Sequence, residues 1–274
     1  MMQSHAPHPR LTFSGGIARQ SVRALPAEVA VALSYNGSTH AVMMATPADL
    51  MDFARGFTLA EGIAALEEIE RIDVVETALG VDLQIWLATG AATRQSGRRR
   101  RMAGPVGCGL CGLDSLEEAV RDAPNVGGAL VMTPLQVLSA VASLPQYQPL
   151  HDLTRAAHCA ALWRPMGPDG PEGIVLARED VGRHNAVDKL VGALALPADT
   201  AALVLTSRVS IDLVQKACIA GFPILIAASA PTGAAVTMAE AAGLTLIANA
   251  RPDGFDCYTH PHRLRGAEEV ADVA

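Results

Sequence analysis

From Arg183 to Ala248, short apolar runs alternate with longer helical segments, and this alternation constrains the fold more than any single motif. It predicts a helix from Arg183 to about Leu194, a strand over Ala202 to Leu205 and a helix over Val209 to Ala220. A strand over Ile224 to Ala227, a helix over Ala234 to Ala242 and a strand over Leu244 to Ala248 follow. Strands this apolar are buried on both faces, so the pattern implies βαβ units around a largely parallel sheet. Ligand sites in such sheets form at the polar turns beyond the strand ends. Gly221 and Gly243 are placed as helix stops, and the chain carries no glycine fingerprint for a dinucleotide or a P-loop.

Upstream the periodicity changes. Residues 1–14, with His5, Pro7, His8 and Pro9, are expected to form a disordered tail. Val29 to Tyr35 and Thr39 to Met44 flank Asn36-Gly37, the dipeptide of a tight hairpin turn. Leu50, Phe53, Ala54 and Phe57 fall on one face of a helix over Asp49 to Leu59, which Gly62 ends. Two strands near Ile72 to Glu76 and Val81 to Leu87 complete an α+β subdomain over 15–90. Residues 91–112, rich in Gly, Ala and Arg without apolar periodicity, read as a mobile loop. A helix from about Ser115 to Arg121, one opened by Thr133-Pro134 through about Ser143, and strands over Ala157 to Trp163 and Ile174 to Ala177 belong to an α/β domain over 113–264, followed by a tail over 265–274.

The chain has 274 residues, half of them hydrophobic, and a net charge of −7. That supports a folded core and argues against non-specific nucleic-acid binding, which needs broad basic surface. No apolar run approaches the length of a spanning helix, so no membrane insertion is expected. Five cysteines, an odd number, fit a reducing cytoplasm better than a secreted disulfide scaffold.

The chemistry concentrates in a few stretches. Cys108 and Cys111, within Gly107-Cys108-Gly109-Leu110-Cys111-Gly112, follow the run Arg98 to Arg101, whose guanidinium groups would favour a thiolate. Arg178 to Lys189 packs seven ionisable side chains into a strand-to-helix junction. There Arg183, His184 and Asn185 could hold an anion and move a proton, whereas a plainer assignment makes Asp180 or Asn185 a helix cap and Asp188 with Lys189 a solvated face. Thr206 to Ser210, including Arg208, and Ser229 to Thr232 follow the next strand ends, where they either cap helices or hold phosphates and a heterocycle. Phe255, Asp256, Cys257, Tyr258, Thr259 and His260 add an aromatic and two polar groups after the last strand, with a stacked base as one partner they could take. His158 is expected as a core histidine and Cys218 as a core thiol; Cys159 stays open.

Gly-Cys-Gly-Leu-Cys-Gly at 107–112, Glu-Asp-Val-Gly-Arg-His-Asn-Ala-Val-Asp-Lys at 179–189, Ser-Ala-Pro-Thr at 229–232 and Tyr-Thr-His-Pro-His-Arg at 258–263 resemble the formate dehydrogenase accessory sulfurtransferases of the FdhD family. The resemblance is in register over roughly residues 104 to 264. It implies a cytidine-deaminase-like C-terminal domain beside the smaller α+β N-terminal subdomain. It also implies a homodimeric cytoplasmic sulfur carrier that accepts sulfur from a cysteine desulfurase. The sulfur would pass to the molybdenum bis(molybdopterin guanine dinucleotide) cofactor for formate dehydrogenase. By the same resemblance Cys108 carries the persulfide, Cys111 is its partner, and Phe255 to His260 bind the cofactor. The chain departs from the family at Arg155 and Cys159, and at Ser207 and Asp212 where glycine and glutamate are usual.

Two other functions compete. A Cys-x-x-Cys pair with one histidine can hold a hydrolytic zinc, but His158 is followed by Cys159 and Ala160, so the His-x-Glu of zinc deaminases is missing, and no metal ligands are assigned. A non-catalytic cofactor chaperone would keep the cofactor site and dispense with both thiols.

Overall fold

The computed structural model describes residues 2–99, 123–167, 170–194 and 196–266. The chain divides into two compact units, 1–121 with 148–159 and 178–193, and 122–147 with 160–177 and 194–274. The units are therefore interleaved in sequence and do not part at a single boundary near residue 113.

The first unit begins with β1 (His5–Ser14) and β2 (Ile17–Pro26), an antiparallel hairpin of its own. The disordered tail expected over 1–14 is thus a strand for most of its length. Pro7 and Pro9 obscure its alternation, although proline is tolerated on the free edges of a two-stranded ribbon. A four-stranded sheet follows, built from β3 (Val29–Tyr35), β4 (Ser38–Ala45), β5 (Ile69–Thr77) and β6 (Gly80–Leu87) in the order β4-β3-β6-β5. The turn between β3 and β4 is Asn36-Gly37, both with positive φ, as the dipeptide demands. Val31, Leu33, Leu83 and Ile85 alternate onto one face of this sheet and form a core with Phe53 and Phe57 of α1 (Leu50–Ala60). Residues expected as the start of the mobile loop form α2 (Thr89–Arg99); the rest of that loop, with Arg100, Arg101, Cys108 and Cys111, and the helix expected near Ser115 to Arg121 lie outside the described residues.

This unit also holds α4 (Pro149–Thr154) and α5 (Arg183–Gly192). Helix α5 crosses α1 where Gly56 faces the backbone of Asp188 and Gly192 faces that of Asp52. A Cβ at either glycine would overlap main-chain atoms that cannot swing aside. Gly56→Ala and Gly192→Ala are each expected to lower stability by about 1–3 kcal/mol or more, measured by urea denaturation. Midpoints equal to that of the unchanged chain would disprove the close crossing.

The second unit is organised by a six-stranded sheet in the order β12-β11-β10-β9-β7-β8. Its strands are β7 (His158–Arg164), β8 (Gly173–Asp180), β9 (Ala202–Leu205), β10 (Ile224–Ala227), β11 (Thr245–Arg251) and β12 (Gly254–Cys257). Strands β9, β10 and β11 are parallel, whereas β7 and β12 run antiparallel to their neighbours β9 and β11. The parallel strands are wholly buried over Ala202–Leu205 and Ile224–Ala227, in keeping with their unbroken apolar runs. Helix α3 (Pro134–Ser143) starts with a capping box between Thr133 and Gln136. Helices α6 (Ile211–Ile219) and α7 (Gly233–Ala241) end at Gly221 and Gly243, whose positive φ lets the following N–H groups reach back to Ala217 and Ala239. No helix among the described residues is long and apolar enough to cross a membrane.

Candidate functional site

In the first unit the ionisable junction after β8 is a buried lock. Asp180 and Lys189 are fully buried with Oδ2 and Nζ 2.6 Å apart. Asp180 Oδ2 also accepts from the Thr46 N–H at 3.0 Å, and Oδ1 accepts from the Gly182 N–H at 2.7 Å and Asn185 Nδ2 at 3.0 Å. Lys189 Nζ donates to the Thr46 carbonyl at 2.9 Å and lies 5.9 Å from the centre of the Phe53 ring. Asn185 Nδ2 is further held by the Met44 carbonyl at 2.9 Å. Asn185 Nδ2 is therefore engaged in holding the fold. Asp188 and Lys189, which the plainer assignment puts on a solvated face, are both buried, because α5 packs its whole middle against α1. Arg183 and His184 stay half-buried at the start of α5.

Beside this lock, Glu179 accepts the Leu150 and His151 N–H groups, each at 2.8 Å, and so caps α4; burial raises its pKa. His158, expected in the core, is instead half-buried at the first position of β7, and burial together with the charges of Arg183 and His151 pushes its pKa down. Cys159 is buried and its thiol is pushed up to about 12.

In the second unit the parallel strand ends meet on one rim. The Val209 N–H donates to the Ala230 carbonyl and the Thr232 N–H to the Val209 carbonyl, so the turns after β9 and β10 are stitched together. The Asn249 N–H donates to the Ser229 carbonyl at 3.2 Å, which adds the end of β11. Arg208 is exposed here and Ser229 half-buried, while the Thr232 hydroxyl accepts from the Ala235 N–H at 3.2 Å and caps α7. The capping role foreseen for Thr232 is thus realised. Buried Ser207 donates to the Arg208 carbonyl at 3.0 Å.

The segment from Phe255 to His260 runs back along β11 and divides between its two ends. Asp256 Oδ2 accepts from Asn249 Nδ2 at 2.7 Å, and the same amide donates to the Tyr258 hydroxyl at 3.1 Å, so these exposed groups join the rim. Phe255, the residue before Asp256 on β12, is half-buried. Thr259 is buried instead, accepting from the Leu246 N–H and donating to the Leu244 carbonyl at 2.6 Å. His260 stands at the far end of β11, where its carbonyl accepts from Thr245 Oγ1 and its ring meets the Glu240 carbonyl at 2.9 Å. Cys257 is half-buried with a raised pKa from burial. Asn249 was not singled out from the sequence. Its φ of 51° marks the left-handed conformation that asparagine tolerates better than most residues, and this is the signal that points to it. Among the described residues, no three His, Cys, Asp or Glu side chains converge as metal ligands.

A rim of exposed cationic, hydroxyl, carboxylate and aromatic groups at parallel strand ends suits a phosphate-bearing heterocycle. The model of the FdhD/NarQ family matches residues 26–265. The sulfur carrier protein FdhD of Agrobacterium fabrum is 46% identical over 260 residues, covering 93% of this chain and 94% of that protein. Its namesake in Brucella abortus is 50% identical over 251 residues, covering 90% and 91%. A crystal structure from Desulfotalea psychrophila, described as that of a formate dehydrogenase accessory protein, superimposes with a TM-score of 0.74 at 22% identity, over 96% of this chain and 100% of that one. With the family model spanning nearly all of both units, this chain belongs to the FdhD/NarQ family.

Proposed function

We propose that the chain is a cytoplasmic sulfur carrier acting through a persulfide on Cys108. The Cys108 thiolate attacks the terminal sulfur of a cysteine desulfurase persulfide. The donor S–S bond breaks, the desulfurase cysteine leaves as a thiolate, and Cys108 becomes the persulfide with no net redox change. The sulfur then passes to the molybdenum bis(molybdopterin guanine dinucleotide) cofactor, the substrate here, for use by formate dehydrogenase. Cys111 assists transfer, or releases hydrosulfide by forming a disulfide with Cys108 that a thiol must then reduce.

One observation carries this proposal among the thiols. Exchange needs a thiolate, and burial raises the pKa of all three described cysteines, to about 12 for Cys159 and Cys218. We therefore assign the exchange to Cys108 and Cys111, which follow the arginine run in the sequence. For the acceptor, Asp256 offers a carboxylate to the N–H edge of guanine, Tyr258 and Phe255 offer rings, and Arg208 offers a cation to phosphate. Those groups, with Ser229, Thr232 and the cytidine-deaminase-like character we assign to the C-terminal sheet, form our cofactor-binding surface. Incubation with a desulfurase and cysteine, followed by peptide mapping, should place one added sulfur atom on Cys108. Sulfur found on neither Cys108 nor Cys111 would overturn the proposal.

We also propose a homodimer through the β1–β2 hairpin. Its register puts Pro7, Pro9, Leu11 and Phe13 on one face with Ala18, Gln20, Val22 and Ala24. Leu11, Phe13 and Val22 are 54%, 73% and 66% exposed. The opposite face carries the charge, with Arg10, Arg19 and Arg23 alongside Ile17 and Leu25: Arg10 Nε donates to Ser21 Oγ at 3.1 Å, and Arg23 to the Thr154 carbonyl at 3.0 Å. A two-stranded ribbon is marginal alone in water, so an uncharged face of this kind needs a cover. A second copy supplies an identical one while the arginines of both point away. The face is roughly 30 Å long, less than a whole standard interface, and forms its core. Leu11→Asp with Phe13→Asp is expected to turn the dimer into a monomer in sedimentation, with circular dichroism unchanged. An undiminished dimer would refute this surface.

A further inference from the structure

Arg164 closes β7 at the end of the sheet away from the rim. The antiparallel register pairs Ala160 with Leu205 and Trp163 with Ala202, so Arg164 lies beyond the start of β9, whereas the rim follows its last residue. The loop from β7 to β8 folds onto itself here: the Gly167 and Gly170 N–H groups each donate to the other's carbonyl, at 3.1 and 3.2 Å. Against this loop opens a cavity of about 360 Å³, lined by the apolar Pro165, Met166, Pro171 and Val175 and by the polar Arg164 and Thr200.

The charge of Arg164 is unmatched in that cavity. The side chain is half-buried, its Nε–H is shut off from solvent without an acceptor, and it makes no hydrogen bond or ion pair with any described residue. Withdrawing a charged group from water is costly unless a partner compensates it, and a buried donor left unpaired costs about 1–3 kcal/mol. Among the described residues no carboxylate lines the cavity. Glu172, which follows Pro171, accepts from Gln136 Nε2 of α3 at 2.6 Å instead. Pro168 and Asp169 lie outside the described residues.

The lining selects the ligand. Small-molecule sites are mostly apolar, with a few polar groups that fix orientation, and their volumes begin at about 300 Å³. One guanidinium fork matches one carboxylate. A phosphate dianion fits poorly: the described lining holds no second cation, and the two glycine N–H groups that could cradle it are spent on each other. Met166 and Val175 are 76% and 46% exposed, apolar surface that the body of a ligand would cover.

We propose that this cavity binds a monocarboxylate with an apolar body, its carboxylate on the Arg164 guanidinium and its body against Met166, Pro171 and Val175. A free apolar acid and the last residue of a polypeptide share this chemistry. The site is separate from sulfur carriage, because the register of β7 sets it at the opposite end of the sheet from the cofactor-binding rim.

Calorimetric titration of the full chain with phenylacetate, phenylacetamide and the tripeptide Gly-Gly-Phe tests the proposal. Phenylacetate is expected to bind and the neutral amide to bind at least tenfold more weakly. Arg164→Met should weaken phenylacetate about tenfold or more. If that variant fails to fold, Met166→Glu, a change at an exposed loop residue, carries the same test by setting a like charge beside the site. Tighter binding of Gly-Gly-Phe than of phenylacetate supports the site with a polypeptide terminus as its ligand, and weaker binding supports it with a free acid. Equal binding of acid and amide, no binding of either carboxylate, or affinity unchanged in both Arg164→Met and Met166→Glu overturns the site. Binding gained only in Asp169→Asn also overturns it, because the chain would then supply the carboxylate itself.

Discussion

Lys189→Met is expected to destabilise the protein by about 3–5 kcal/mol, because it leaves the Asp180 carboxylate buried without its counter-charge. Methionine nearly matches the lysine stem in volume, so the loss is electrostatic and not a cavity effect. The donors that remain, Thr46 N–H, Gly182 N–H and Asn185 Nδ2, satisfy the carboxylate lone pairs but carry no full positive charge. The loss is a large share of the roughly 5–15 kcal/mol that holds a typical domain folded. Urea denaturation of Lys189→Met, Asp180→Asn and the double variant forms a double-mutant cycle, in which the double variant should recover part of the loss. Single variants within 1 kcal/mol of the unchanged chain would show that the pair does not bear on stability.

Cys108→Ala is expected to abolish sulfur loading by a desulfurase, whereas Cys159→Ala, Cys218→Ala and Cys257→Ala should load like the unchanged protein. At pH 7 a thiol with a pKa of about 12, as for Cys159 and Cys218, is ionised in only roughly one molecule in 10⁵. Burial also denies both thiols access to a donor persulfide. Intact mass of each variant after incubation checks the prediction. Full loading of Cys108→Ala, or loss of loading in Cys218→Ala with its fold intact, would move the persulfide elsewhere.

The two predictions draw on different kinds of information. Cys108 and Cys111 stand out in the sequence because two cysteines between glycines, after a run of arginines, form a local pattern that needs no partner from elsewhere in the chain. The strand and helix order from Arg183 onward is legible for the same reason, since burial on both faces writes an unbroken apolar run into each parallel strand. Asn36-Gly37, Thr133-Pro134 and the glycine stops of α6 and α7 are likewise local conformational signals, and the structure places each where it was expected.

The charged junction at 178–189 was not legible, because its partners come from Met44, Thr46 and Phe53, far away in the chain. The same side chains read equally well as a cap, a solvated face or a ligand site until tertiary packing buries Asp180 against Lys189. The division of Phe255 to His260 also required the fold. A strand progresses by about 3.3 Å per residue, so contiguous residues that look like one motif reach opposite ends of β11. The hairpin at the start of the chain was not legible, because Pro7 and Pro9 mask its alternation and only pairing with β2 shows that Leu11, Phe13 and Val22 share an exposed face. The sequence by itself determined the order of elements from Arg183 onward and the family motifs, because each depends on short-range chemistry. Tertiary structure alone decided which charged residues lock the fold and which stay exposed, because burial and pairing depend on segments brought together from distant parts of the chain.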